Sequence, residues 1–259
     1  MSAPIAAGLV GSLILLLAAC GGSEDVSPIS PRSASGFATA LAVTSEPDLK
    51  VLSIHKVGET PVTETVRDGV YRILVLNGRG EKSGYTATLI GVGKGTTVID
   101  GSVLLGDLSS LGTSSPSDTI TLRHDRTFLF NPFGLVWKIT PPINGIPVPP
   151  QPDQATNQAT VAGVDTNLNG IRDDIDIFLA TNYGANPAQY AFAVSFASSL
   201  QTALASPSDE HSAHHIASYA CVDTPMLRRL SEIKTAMLDT PLRRGAYGEV
   251  FASSLRSAC

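Results

Sequence analysis

Residues 165–176 read DTNLNGIRDDID, and this stretch separates a β-patterned half of the chain from a helix-patterned half. Oxygen-bearing side chains fall at relative positions 1, 3, 5, 9 and 12, and a glycine falls at 6. That spacing lets Asp165, Asn167, Asn169, the backbone carbonyl of Ile171, Asp173 and Asp176 converge on one cation. Gly170 permits the sharp turn, and the last ligands ride into a helix. Asp174 is a spare carboxylate able to replace Asp173. An all-oxygen set of this kind predicts Ca2+ as the cofactor. Two neutral amides, and an aspartate where a longer glutamate would bind bidentately, lower the expected affinity toward the ~10⁻⁴–10⁻³ M of extracellular modules. The same residues also suit an Asx-rich turn that only caps the next helix.

The form D-x-N-x-N-G-x-x-D-D-x-D resembles thrombospondin type-3 and EF-hand-like loops of exported bacterial proteins. The resemblance implies the same six ligands, Asp165 to Asp176, around a structural calcium ion.

Downstream, Ile175, Phe178, Leu179 and Tyr183 repeat at helical spacing. Asn186-Pro187-Ala188-Gln189 is a cap with a first-turn proline, followed by Tyr190, Ala193, Phe196, Ala197, Leu200 and Leu204 on one face. Thr224-Pro225 opens a helix that turns Met226, Leu230, Ile233 and Met237 inward. Thr240-Pro241 opens another with Tyr247, Val250, Phe251 and Leu255. The echo DTPMLRR and DTPLRR reads as reused capping chemistry. Residues 161–259 are therefore expected to form a small all-α domain entered through the calcium loop.

Residues 37–140 carry short β-branched runs separated by turn signals. The expected strands are Lys50 to Ile54, Val70 to Leu76, Tyr85 to Leu89, Thr96 to Ile99, Val103 to Leu105, Thr119 to Leu122 and Leu135 to Ile139. Asn77-Gly78 is a turn dipeptide. About seven strands without helical period predict an all-β, two-sheet sandwich, so the chain is expected to be multidomain. YTATLIGVGKGTTVIDGSVLLGDLSS, with the later SDTITLRHDRTFLF, resembles the late strands of bacterial immunoglobulin-like or fibronectin-like repeats from secreted proteins. That resemblance implies a hairpin at Asp100-Gly101. His124 reads as part of a solvated, charged strand end. Residues 141–160, PPINGIPVPPQPDQATNQAT, predict an extended, semi-rigid linker holding the two domains apart.

At the start, Ile5 to Ala19 is apolar but shorter than the ~20 residues a bilayer span needs, and suits a signal peptide over residues 1–19. Leu17-Ala18-Ala19-Cys20 resembles the bacterial lipobox, although no Lys or Arg precedes the apolar run. The resemblance implies that Cys20 is acylated and anchors the chain to a membrane. Residues 20–36 have the Gly, Ser and Pro content of a flexible tether. Gly21 after the anchor implies sorting to the outer membrane. With Cys20 acylated, Cys221 and Cys259 remain as the expected disulfide of an exported protein.

A net charge of −5 with no basic block gives nucleic-acid binding no electrostatic footing. No nucleophile elbow, P-loop or dinucleotide fingerprint is present. The expected role is a non-enzymatic binding or scaffolding module, with an envelope protein or glycan as partner. The competing class is a metal-dependent hydrolase using His211, His214 and His215, which helical spacing would gather on one side near Asp209 and Glu210.

Overall fold

The computed structural model describes residues 46–217, 219 and 224–257. Cys20, Cys221 and Cys259 lie outside the described residues, and with them the expected anchor, tether and disulfide. Eight strands come first: β1 (Leu49–Pro61), β2 (Val66–Asn77), β3 (Thr86–Gly91), β4 (Thr96–Asp100), β5 (Ser102–Leu104), β6 (Gly112–Ser114), β7 (Ile120–Asp125) and β8 (Val136–Thr140). A 3-10 turn at Pro132–Gly134 precedes β8. Then come α1 (Gln154–Gln158), α2 (Asp173–Tyr183), α3 (Pro187–Ala205), α4 (Asp209–Ala217), α5 (Thr224–Met237) and α6 (Pro241–Ser257). Antiparallel sheets and six helices, among the described residues, make this a mixed fold.

One sheet runs β1-β2-β7-β4, with β6 also paired to β2; the other runs β5-β3-β8. Strict alternation along β7 buries Ile120, Leu122 and His124 and leaves Thr121, Arg123 and Asp125 partly exposed. The buried faces of the two sheets share one cluster. Ile73, Val75, Ile120 and Leu122 come from the larger sheet, and Ala87, Leu89, Val103 and Ile139 from the smaller. Each large aliphatic contributes ~1.5–3 kcal/mol on burial.

Asn77-Gly78 ends β2 in a turn, where Asn77 Oδ1 accepts from Arg79 N at 3.2 Å. Asn77 is buried and its Nδ2 donates to the carbonyls of Leu108 and Ser109 at 3.3 and 3.0 Å. A tight hairpin lies at residues 62–65, between β1 and β2. The hairpin expected at Asp100-Gly101 is absent, because β4 pairs in one sheet and β5 in the other. The chain crosses between sheets at Gly101, where a Cβ would sit 2.6 Å from Val98 Cγ1. β6, three residues without apolar alternation, carries no sequence signal.

The segment expected to be a spacer is packed down. Asn144 and Gly145 both have positive φ, 51° and 77°, and close a turn in which Ile143 and Ile146 exchange two 2.9 Å hydrogen bonds. Asn144 Nδ2 donates to Ala180 O in α2 at 2.9 Å. Val148, Pro149 and Pro150 are buried. Their apolar surface gives the segment something to bury, which a fully solvated polyproline spacer would lack.

The helices share a second core of Ile171, Ile175, Leu179, Phe196, Leu200, Leu230, Ile233 and Met237, among others. The caps act as read: Asn186 Oδ1 accepts from Ala188 N and Gln189 N at 3.1 Å each, and Thr240 Oγ1 accepts from Arg243 N at 3.2 Å.

Candidate metal centre

The 165–176 loop is wound by its own side chains. Asp165 accepts from Asn169 N at 3.2 Å and Gly170 N at 2.9 Å; Asn169 Oδ1 accepts from Ile171 N at 2.8 Å. Leu168 and Gly170 take positive φ, 53° and 82°, where the chain doubles back. At position 168 this conformation strains a leucine, whereas glycine adopts it freely. Asp176, on the first turn of α2, receives both amides: Asn167 Nδ2 at 3.0 Å and Asn169 Nδ2 at 2.8 Å, on the same Oδ2. Asp165, Asn167, Asn169 and Asp176 thus belong to one connected group, while the Ile171 side chain points into the helical core.

Asp173 does something different. Its two carboxylate oxygens accept from Thr166 N and Thr166 Oγ1, both at 2.9 Å. It ties the end of the loop back to its start. Asp174 is not a spare ligand: Arg172 holds it through Nε and Nη2 at 2.9 and 3.0 Å.

The acids are charged groups in the wrong solvent. Burial pushes Asp173 up to about 7 and Asp176 up to about 6, with the neighbouring Asp165 carboxylate adding repulsion to both. Burial raises Asp165 as well. None of the three forms an ion pair with a described residue, because the nearby guanidinium goes to Asp174 and Asp239. Among the described residues no three His, Cys, Asp or Glu side chains form a metal-holding group; the two amides face Asp176 through Nδ2, and their oxygens accept from Asn169 N and Ile171 N. Three underneutralised carboxylates with two amides suit a hard cation of the Ca2+ type.

Behind the loop lie two fully buried arginines that pattern reading misses. Arg172, at position 8 of the loop, donates through Nη1 to Met237 O at 3.0 Å, capping the carbonyl end of α5. Arg243 donates through Nη1 to Asp239 at 2.7 Å, through Nε to Val161 O at 3.2 Å, and through Nη2 to Thr160 O and Asn157 O. Asp239 also faces Arg172 at 3.6 Å. Gly163 lies between the two guanidinium arms with φ of 71°. The DTPLRR echo was the only hint of this, since its Asp239 and Arg243 are the pair; nothing local marks Arg172.

The three histidines occupy three environments. His211 Nδ1 donates to Ser206 O at 2.7 Å, His214 is exposed, and His215 is fully buried beside Phe196 and Tyr219. Burial drives His215 down to about 4. The structure does not bring them together as a ligand set. His124, expected in solvent, is buried: its Nε2–H donates to Phe128 O at 3.0 Å, and Nδ1 accepts from Thr96 Oγ1 at 2.8 Å. No protein-family model, curated protein or solved structure matches the chain, so its functional reading rests on these residues.

Proposed function

We propose that this chain is a lipoprotein of the bacterial cell envelope, stabilised by calcium and acting as a non-enzymatic binding or scaffolding module. The observation that carries the calcium reading is the group Asp165, Asn167, Asn169 and Asp176, whose half-buried and buried acids form no ion pair with a described residue. When bound, the ion supplies positive charge and nothing chemically reactive. The protein's own residues do the rest: Gly170 permits the turn, Asp173 pins Thr166, and α2 receives a fixed start. The two sheets with a shared core support an immunoglobulin-like sandwich over residues 37–140, and the second core supports a helical domain over residues 161–259. The lipobox-like LAAC supports an anchor at Cys20, with outer-membrane sorting and a Cys221–Cys259 disulfide as parts of the same proposal.

Because the ion binds the folded loop only, stability should rise as RT ln(1 + [L]/Kd), about 1.4 kcal/mol at ten times Kd. Melting the full chain in chelator and in millimolar calcium is expected to show an upward shift in the wild type and almost none in Asp165→Ala. Coincident wild-type curves would reduce the loop to a capping turn.

The anchor has its own test. Cys20→Ser should abolish fatty-acid labelling and release the protein from purely zwitterionic membranes, since two or more acyl chains give a hold that one does not. A variant that still sediments with those membranes, unlabelled by fatty acid, would assign the attachment to another part of the chain.

A further inference from the structure

The segment after β7, Arg126 to Gly134, presents apolar side chains to water from a rigid base. Its backbone is held at several points. Arg126 N donates to Thr65 O at 2.9 Å, Thr127 N to Asp125 Oδ1 at 3.0 Å, and Phe133 N to Asn131 Oδ1 at 3.0 Å. Two of its rings lie against the sheet, Phe130 half-buried and Phe128 37% exposed. Phe130 stacks on Tyr71 at 5.6 Å, and Phe128 lies over Gly95, where a Cβ would meet the ring at 2.5 Å. The other two apolar side chains face fully out: Leu129 is 96% exposed and Phe133 94%. A floppy loop could hide such groups by folding back, but this one is braced against doing so.

Cations surround the tip. Lys94 Nζ lies 4.9 Å from the centre of the Phe128 ring. The adjoining groove, about 490 Å³, is lined by Lys56, Arg67 and Arg126 against the single acid Glu59. Lys56 neutralises that acid at 2.5 Å, and Arg126 forms no ion pair with a described residue. Two protruding side chains with a cationic surround need no matching socket from a protein partner. They do match a bilayer interface, where apolar tips enter the acyl boundary and cations meet anionic headgroups.

We infer that the 126–134 tip docks on an anionic lipid surface, inserting Leu129 and Phe133 while Arg126, Lys94 and Arg67 engage the headgroups. A second copy of the chain is disfavoured as occupant, because two cationic convex tips repel. The tip lies at the Pro61 end of β1, and the described chain begins near the Leu49 end. The 13 residues of β1 span ~43 Å, whereas the roughly 26 residues from Cys20 to Glu46 can reach at most ~90 Å. An anchor at Cys20 and the tip can therefore share one membrane. Docking of the tip requires neither calcium nor the anchor proposed at Cys20.

The test places the reporter on the tip. Trp137 is the single tryptophan, so Leu129→Trp in a Trp137→Phe background isolates the signal. The full chain also carries Cys20→Ser, so that no acyl chain holds it to the vesicle. With vesicles of phosphatidylglycerol and phosphatidylethanolamine bearing brominated acyl chains, the probe should shift to the blue and lose at least half its emission. Purely zwitterionic vesicles, or added Arg126→Glu, should cut that quenching at least fivefold. The same probe as Ile90→Trp, on β3 of the other sheet and 57% exposed, should stay unquenched. An unquenched probe at 129, equal quenching at 90, or a blue shift that follows protein concentration without lipid would overturn the inference, the last by making a second copy the occupant.

Discussion

In calcium-free solution at pH 8, Asp173→Asn is expected to make the protein more stable. Asp173 is buried and titrates near 7 in the folded state, against 3.8 for an unperturbed aspartate. A group whose folded value is raised in this way favours folding only while it is protonated. Its contribution is complete below about 4, declines as pH rises toward 7, and leaves the native state carrying a cost on the order of 4 kcal/mol above that. Asparagine removes the charge and keeps the shape. Its Oδ1 still accepts from Thr166 N, and the Thr166 hydroxyl can turn to accept from Nδ2. The exchange forfeits a charge-assisted hydrogen bond worth ~1.5–3 kcal/mol, so a net gain of ~1–2 kcal/mol is expected at pH 8. The gain should vanish near pH 5.

Comparing variant with wild type at each pH cancels His215. That group, held near 4, loses its contribution as pH falls through 6.5 in both proteins. Asp68 and Asp125 are lowered, by an Arg123 hydrogen bond and by Thr127 hydrogen bonds respectively, so their contributions fall away only in acid. In calcium the sign should reverse, because the variant has lost one of the charges that favour the ion. Chemical denaturation at pH 5, 6.5 and 8, with and without calcium, measures all of this. A variant less stable than wild type by more than ~1 kcal/mol in chelator at pH 8 would mean that Asp173 is paid back by a cation or proton in its surroundings after all.

Gly163→Ala should be strongly destabilising for a change of one methyl group. The residue has φ of 71°, which costs an alanine ~1–2 kcal/mol by itself. The added Cβ would stand 2.4 Å from Arg172 Cδ, 2.6 Å from Asn157 Oδ1 and 2.8 Å from Arg243 Nη2. Those atoms cannot yield cheaply. Moving either guanidinium pulls a buried charge from Asp174, Asp239 or the carbonyls around it, and breaking such a pair costs ~3–5 kcal/mol. Allowing for partial relaxation, a loss of ~3–4 kcal/mol is expected, or roughly 10 °C in Tm for a chain of this size. Gly245→Ala is the control. It sits exposed in α6 with nothing within 4 Å of the new methyl, and should gain ~0.5–1 kcal/mol. If Gly163→Ala melted within a degree or two of wild type, the two arginines would not be the rigid support described above. Because Arg172 is flanked by Ile171 and Asp173, the same variant should also weaken the calcium-dependent shift.

What the sequence determined by itself was local. Asn186, Thr240 and the 3.6-residue period set α2, α3, α5 and α6, because caps and helical faces depend on residues three or four apart. The turn at Gly170 and the grouping of Asp165, Asn167, Asn169 and Asp176 were legible for the same reason: every contact among them lies within eleven residues. The tertiary structure alone decided whatever depends on distant partners. Asp100-Gly101 has the chemistry of a hairpin, yet β4 and β5 part there because each finds better partners elsewhere, β7 and β3. His124 looks charged and solvated among Arg123, Asp125 and Arg126, but it alternates inward on β7 and meets Thr96, 28 residues away. Arg172 and Arg243 belong to residue types that are almost never fully buried. Their carboxylates, Asp174 and Asp239, are close in sequence, but their carbonyl partners lie 65 and 82 or more residues off, at Met237 for one and at Val161, Thr160 and Asn157 for the other. A guanidinium can leave water only where carboxylates and carbonyls from several segments already converge, and that convergence exists only once the chain has folded.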